Sequence, residues 1–484
     1  MKKLSVYILS ICAAASVASC NKLLETNPRE SIDLEKASKS KDAIKATVIS
    51  AYASMRAVGY YGRDFIVQSE VLSDNGEITT SNSNRFVNES NNSPRAQVAI
   101  WNTCYTNIFR SNFIMKYGPR ASGFSEEELD QLMGEAFFIR AYNYFDLVRS
   151  FARNPRFLNG FDYGVPIVTD ALLDVTNPEF PGYPSRPKVD AVYAQIVKDL
   201  DSAVARLGKS EVTAGIVGPF RASKLAAIAL NSRVKLYRGD WAGSEADATT
   251  AIGMIATGFN TPKLKVEFVS DSATYMSKWG NLHPEMIFGL SFEAYEAFGS
   301  DAIQSIFYKH PILGGYGDIT PRAGLRADYY TDNDPRWKSL LRPVTKSGQA
   351  IFSCLKWPGA KPFQGGDDIM LIRASELYLN RAEARAMQGG KDVEALDDLN
   401  KVHTRVKLAP LAGLTGDALT AAILRERRIE LAFEGHRLFD LMRTGRDIVK
   451  SAATTIPNTD YKLVAPIPQA EVDVNKNLLQ NPNY

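Results

Sequence analysis

The stretch that begins Arg373-Ala374-Ser375-Glu376-Leu377-Tyr378, passes through Gly389-Gly390-Lys391-Asp392 and ends at Val406 decides the fold. Ala374, Leu377, Tyr378, Ala382 and Ala386 share one face of a 3.6-period helix, and Ala395, Leu399, Val402 and Val406 share one face of a second. The glycine pair stops the first helix, and an aspartate at the start of the second supplies a cap. The unit spans 34 residues.

A second copy lies upstream, starting at Arg221-Ala222-Ser223-Lys224-Leu225 and turning at Arg238-Gly239-Asp240. A period of about 34 residues is that of tetratricopeptide repeats, whose helix pairs stack because one pair alone cannot bury its apolar face. The fold expected is mainly α, a tetratricopeptide-like scaffold of helical pairs. Working outward, helical spacing covers 41–58, Trp101 to Lys116 and Glu126 to Phe151, with an Asn/Ser-rich loop from Asp74 to Pro94. Between the two pairs, about 258–366, periodicity fades. Gly, Pro and aromatic residues crowd this stretch, among them Phe268, Tyr275, Trp279, Phe288, Phe292, Tyr295, Phe298, Tyr308, Tyr316, Tyr329, Tyr330, Trp337 and Trp357. Long irregular segments in compact proteins are usually functional, so this region is expected to pack on the scaffold and carry a binding surface.

The N-terminus reads as an export signal. Met1-Lys2-Lys3 is basic, and Leu4 to Val17 is apolar but shorter than the ~20 residues a spanning helix needs. Val17-Ala18-Ser19-Cys20 resembles a bacterial lipobox, so 1–19 is expected to be a lipoprotein signal peptide. Cys20 is the expected lipid anchor, and 20–40 a lipidated tether. Lipid chains hold a protein to a membrane without crossing it. Of the remaining cysteines outside the leader, Cys104 and Cys354, sequence alone does not decide pairing; two isolated buried thiols are expected.

Composition is that of an ordinary globular protein: 45% hydrophobic, 23% charged, formal charge +3. Two of those positive charges are Lys2 and Lys3, and no basic run follows, so nucleic acid is not an expected partner. The sequence has no Gly-x-Ser-x-Gly elbow, Walker loop, dinucleotide fingerprint or zinc-protease His pair. His283, His310, His403 and His436 are scattered, with no pair at metal-ligand spacing. Glu426, Glu430 and Glu434 form a carboxylate stripe at i, i+4, i+8. The interleaved Arg427, Arg428, Arg437 and Arg443 favour buried charge pairing over a metal or acid–base site. Asp332-Asn333-Asp334 could in principle attract calcium but lacks the spacing and terminal Glu of an EF-hand loop. No metal is therefore indicated, and the only non-protein group expected is the N-terminal lipid on Cys20.

Flat rings beside polar side chains suit sugars, whose C–H faces pack on aromatics while hydroxyls pair with amides, carboxylates and guanidiniums. Loop positions with that combination are Tyr60, Tyr61 and Asp64, Asp74 and Asn75 in the Asn/Ser-rich loop, Trp279 with Asn281, and Tyr295. For any one ring, a core role is the default; as a population on loops they point to a binding surface. A surface glycoside hydrolase with two opposed carboxylates about 5 to 9 Å apart, and a peptide-binding adaptor using the concave face of helical repeats, are the alternatives.

Taken in order, several segments resemble the SusD/RagB family of outer-membrane nutrient-binding lipoproteins. They are Leu23-Leu24-Glu25-Thr26-Asn27-Pro28, Glu135-Ala136-Phe137-Phe138-Ile139-Arg140-Ala141-Tyr142, Gly164-Val165-Pro166, Leu377 to Ala384, Glu426 to Gly445, and the closing Gln480-Asn481-Pro482-Asn483-Tyr484. The resemblance implies one SusD-like domain over 41–484, with the helical scaffold mainly at 41–257 and 367–450 and a variable loop region at about 258–366. It further implies a lipid-anchored outer-membrane protein facing the cell surface. Such a protein holds oligosaccharide as a lid over a SusC-like, TonB-dependent transporter barrel and does no chemistry of its own. Ligand contacts in such proteins come from variable loops, so no ligand residue carries over by motif. Arg381 and Asn380 depart from the family's usual apolar residues and put local packing in question.

Overall fold

The computed structural model describes residues 38–484 apart from 96, 98, 172–181, 209–217, 259–264 and 332–333. The signal peptide, Cys20 and most of the tether lie outside the described residues, as do Asp332 and Asn333.

The helices that carry the scaffold are α1 (Lys41–Met55), α2 (Asp64–Leu72), α3 (Trp101–Tyr117), α4 (Glu126–Phe151), α5 (Val189–Arg206), α6 (Lys224–Arg238), α7 (Trp241–Ala256), α8 (Ala374–Gln388), α9 (Asp392–His403), α10 (Gly416–Glu430) and α11 (Arg437–Arg443). From α3 to α10 each helix packs against the next, including α7 on α8, although the loop-rich region separates those two in sequence. The two repeat-like pairs, α6–α7 and α8–α9, are thus neighbours in one continuous stack.

Local chemistry explains the ends. α4 starts with a capping box in which Ser125 and Glu128 satisfy each other's backbone N–H groups. α6 ends on Gly239 at φ 84°, and Asp240 caps α7 by accepting from the Gly243 N–H. The second pair differs from expectation: Asp392 is the first helical residue, not the cap, and its carboxylate accepts from the Gly416 N–H at the start of α10. Its aspartate ties two helices together instead of finishing one. The predicted apolar faces meet in part. Ala382 of the first and Ala395, Leu399 and Val402 of the second join Leu379, Leu419 and Ile423 in a compact core, with Tyr378 and Ala386 packed against it, while Leu377 faces the main core.

The intervening region is less irregular than its sequence suggests. It holds short strands and helices that fasten it to the scaffold at two places. Strand β1 (Gly76–Ile78) pairs antiparallel with β3 (Ile319–Pro321). Strand β2 (Met286–Leu290) pairs antiparallel with β6 (Ile369–Arg373), which runs straight into α8, and every residue of both is buried. A hairpin of β4 (Leu341–Lys346) and β5 (Gln349–Cys354) turns at Ser347-Gly348, both at positive φ, as a two-residue hairpin turn requires. Hairpin β7–β8 (Ile448–Ser451, Thr454–Ile456) follows α11.

This order explains where most of the aromatics went. Tyr275, Trp279, Phe288, Phe292, Tyr308, Tyr329, Trp337 and Trp357 are buried, and Phe268, Phe298, Tyr316 and Tyr330 are partly buried. Of the rings named in this stretch, Tyr295 alone is exposed, at 87%. The expectation that these rings as a population form a binding surface is therefore corrected: they build the region's own core, because short strands and turns leave few other large apolar groups to fill it.

Candidate functional site

The carboxylate stripe resolves first. α10 ends at Glu430, and Phe433 at φ 64° and Gly435 at φ 85° turn the chain before α11, so Glu434 is not on the helix as the i+8 spacing suggested. A side chain at Gly435 would crowd Ile66, and its N–H donates to Glu70. The turn still brings Glu434 back to the same cluster. Arg373 donates to Glu434 at 2.7 and 2.9 Å and to Glu430 at 2.8 Å. Lys356 donates to Glu434 at 2.6 Å, and Arg405 bridges Glu430 and Glu285. Arg336 and His403 close on Glu426. All these groups are buried. Burial pushes Glu430 up, but the charges of Arg405, Arg373, Arg336 and Lys356 outweigh it and hold the carboxyl well below its ordinary 4.5. The cluster joins the strand before α8, the end of α9, α10 and the loop region, and it is scaffold. Asp334 is likewise spent, on Arg336 and on capping the helix Pro335–Leu340. Among the described residues no group of three or more His, Cys, Asp or Glu side chains could hold a metal ion.

Five of the sequence-predicted ligand residues are interior. Tyr60 and Tyr61 lie with ring centroids 4.5 Å apart beneath α4, and both hydroxyls donate to the buried Asp146. Neither ring has a face to offer. Asp74 takes a two-pronged contact from Arg437 at 2.7 and 2.8 Å, and Asn75 accepts from Arg428 at 2.9 Å while donating to Glu70 at 2.7 Å. The two bind the Asn/Ser-rich loop to α10 and α11. Trp279 is 4% exposed, stacked edge-on with Tyr275 and lying below the Lys356 ammonium. The mistake has one cause: a tyrosine or aspartate next to polar residues reads alike whether its partners are water, ligand or distant arginines. Asn281 is exposed, and its side chain caps its own turn by accepting from the Leu282 N–H. Asp64 sits at an edge, paired with Arg63 at 2.6 Å. The departures Asn380 and Arg381 are also explained, since Asn380 accepts from Arg427 at 2.7 Å and Arg381 pairs with Asp398 at 2.7 and 2.8 Å.

Tyr295 is different. It stands on the turn Glu293–Glu296, closed by the Glu296 N–H to the Glu293 carbonyl at 2.9 Å. Arg56, the C-cap of α1, clamps this turn from below, donating twice to Glu296 at 2.6 Å and to the Ser291 carbonyl at 2.9 Å. The ring is thus exposed on a fixed base. Further along the same loop the half-exposed Asp301 accepts from Arg85 at 2.7 Å and from Arg63 at 3.2 Å. The Arg85 guanidinium lies 4.3 Å over the partly buried Tyr316 ring. The loop at 82–86 is shaped by Asn84 and Phe86, both at left-handed φ, and by Asn82 donating to the Arg85 carbonyl. Arg85, Asp301 and Tyr316 join the loops around residues 84, 301 and 316 into a rim. The turn with Tyr295 precedes Asp301 on the same loop, so the rim and its loop offer one exposed ring, guanidinium donors and a carboxylate. This combination suits a ligand with flat apolar faces and many hydroxyls. Arg85 and Asp301 were not singled out from sequence, and Tyr316 was named only among the region's aromatics. The available signal was the Asn/Ser-rich loop itself, read for its Asp74-Asn75 end and not for Arg85.

A stack of helical pairs carrying a loop-built polar and aromatic rim is the architecture of a binding scaffold. Comparison with known proteins gives it a family. Residues 22–236 match the family described as starch-binding associating with outer membrane, and residues 356–484 match the SusD family. A SusD-like protein, P38, of Formosa agariphila is 24% identical over 92% of this chain and 92% of its own length. Among solved structures, a SusD superfamily protein from Bacteroides vulgatus aligns with a TM-score of 0.80 at 23% identity, covering 92% of this chain and 99% of that one. A laminarin-binding SusD-like protein aligns with a TM-score of 0.69 at 22% identity, covering 92% and 100%. The chain belongs to the SusD/RagB family, whose proteins bind glycans and are associated with the outer membrane. The two matched ranges leave 237–355 between them, and that interval contains Tyr295, Asp301 and Tyr316.

Proposed function

We propose that this protein captures oligosaccharide at the Tyr295 rim and hands it to a TonB-dependent transporter barrel, as a lipid-anchored lid on the cell surface, without cleaving it. The observation that carries the proposal is Tyr295 itself, 87% exposed on a clamped turn of the same loop that carries Asp301, which Arg85 and Arg63 hold. A pyranose packs its C–H face on such a ring, and its hydroxyls pair with guanidinium and carboxylate groups. Glu296 and Asp301 are both held by arginines, which fits hydrogen-bond acceptance better than the proton donation a glycosidase acid needs. Few anchors on an open face make for weak individual affinity, and a barrel closing on the same ligand adds avidity. A starch-binding family description and a laminarin-binding structural neighbour make glucans the first ligands to try.

The test is calorimetric titration of the full chain with starch-derived and laminarin-derived oligosaccharides, followed over time for new reducing ends. Saturable heat with no sugar release is the expected result; release of reducing sugar overturns the non-enzymatic reading. For the anchor, Cys20→Ala is expected to move the protein out of the membrane fraction, and retention there would contradict lipidation at Cys20. No helix of the described residues is long and apolar enough to cross a membrane. For the partner, mild solubilisation of outer membrane is expected to recover the protein with a barrel, and recovery of the protein alone counts against the lid.

A further inference from the structure

Away from the rim, α3 presents three rings at i, i+4 and i+8: Trp101, Tyr105 and Phe109. That spacing sets them on one face over about 12 Å of helix. They form one wall of a cleft of about 450 Å³, within the usual range of small-ligand sites. The opposite wall is Tyr183-Pro184 and the C-terminal segment from Glu471 to Leu478. Both walls are braced. The Tyr105 hydroxyl donates to the Pro166 carbonyl at 2.8 Å, and the Trp101 and Tyr105 centroids are 4.8 Å apart. Asn475 donates to the Pro184 carbonyl and Asn477 to the Tyr183 carbonyl, both at 2.8 Å. Exposure rises along the ladder, from Trp101 at 4% to Phe109 at 39%.

A purely apolar groove would be read as a seat for another protein. This one is mixed. Asn102 and Thr106, each one residue past a ring of the ladder, line it together with Glu471. None of these three side chains makes a hydrogen bond or ion pair within the described residues. A wall of rings with unspent amide, hydroxyl and carboxylate groups beside it matches a sugar, which is apolar on its ring faces and polar around its edge. Glu471 is the one charged residue in the lining, so the cleft repels anionic sugars.

We propose that this cleft is a second saccharide site, taking part of a short neutral oligosaccharide on the outer rings Tyr105 and Phe109, with the buried Trp101 bracing the base of the ladder, and excluding acidic ones. It shares its ligand class with the proposed function but not its residues, so the two can fail separately. A second site on one glycan chain would hold long polymer by avidity while the rim delivers an end.

The experiment is calorimetric titration of the full chain with maltohexaose, laminarihexaose and mannohexaose, and with an oligouronate of similar length. In a Tyr295→Ala background, residual saturable binding of a neutral hexasaccharide is expected. Adding Phe109→Ala should weaken it about five- to ten-fold, the size of one lost ring contact, with Asn102→Ala as a second, milder variant should Phe109→Ala lower the melting temperature. Glu471→Gln should admit the oligouronate that the unaltered chain refuses. The proposal is overturned if Tyr295→Ala abolishes all saturable binding, if no neutral hexasaccharide binds at millimolar concentration, or if both cleft variants bind as the parent does. Loss of binding in the cleft variants with none in Tyr295→Ala would keep the cleft and remove the rim.

Discussion

Among the arginine–carboxylate clusters of the described residues, the one around Glu430 is sealed and the one around Asp301 is open at the rim. The sealed cluster sets Arg336, Arg373, Arg405 and Lys356 against Glu285, Glu426, Glu430 and Glu434, with every partner supplied by the fold. The open cluster strings Arg85 and Arg63 onto one carboxylate, with Asp301 half exposed and Tyr295 exposed earlier on the same loop. The same residue types serve opposite ends. Inside, a lost partner leaves a charge without water, so the cluster fixes structure. Outside, water or a ligand can take the partner's place, so the cluster can exchange contacts. Recognition belongs where exchange is cheap.

The contrast can be broken at its strongest point first. Arg373→Ala strips partners from both Glu430 and Glu434 and is expected to cost roughly 3–5 kcal/mol, read as a lower midpoint of denaturant unfolding. Asp301→Ala at the rim is expected to cost at most about 1 kcal/mol. Comparable losses from the two would erase the distinction. Trp279→Ala sharpens it. Had Trp279 been a ligand ring, the change would weaken binding and spare the fold; as a core residue it should cost about 3–5 kcal/mol in stability.

A smaller effect separates the paired carboxylates from a buried one with no cation bonded to it. Burial raises Glu70 from 4.5 to about 7, even though Asn75 and the Gly435 N–H hydrogen-bond to it. The unfolded chain gives up that proton first, so between about 4.5 and 7 the folded state holds more protons and stability falls as pH rises. Glu430 works the other way: its stabilisation is present above 4.5 and is lost as pH falls below that value. Glu70→Gln should therefore flatten the slope of unfolding free energy between pH 4.5 and 7 and leave the acid loss intact. An unchanged slope would show that Glu70 is not the titrating group.

The helical stack was legible because its signals are local. The face of Leu377 and Ala382, the Gly389-Gly390 stop and the 34-residue span depend on neighbours a few positions away. That Glu426 and Glu430 are charge-paired was legible, but their partners were not: the interleaved Arg427, Arg428, Arg437 and Arg443 turn to Asp440, Asp328, Asp74 and Glu383, and the glutamates are held by the distant Arg336, Arg373 and Arg405. The site was not legible. Tyr61 and Tyr295 are both tyrosines in loops beside charged residues, and what separates them is Asp146 beneath one and Arg56 beneath the turn of the other. Those partners lie 85 and 240 residues from Tyr61 and Glu296, too far for any periodicity to reveal. The break of the helix after Glu430 was missed similarly, because Phe433 takes its left-handed backbone under contacts from Trp357 and Glu70 that only the folded chain supplies.

The rim is the proposed place of recognition. The measurement that tests it is titration of the parent and of Tyr295→Ala with the glucan oligosaccharide that binds the parent, alongside thermal melting of both. A drop in affinity of about five- to ten-fold, the scale of one stacking contact, with an unchanged melting temperature is predicted. Equal affinity in the two proteins would contradict it and move recognition to another face.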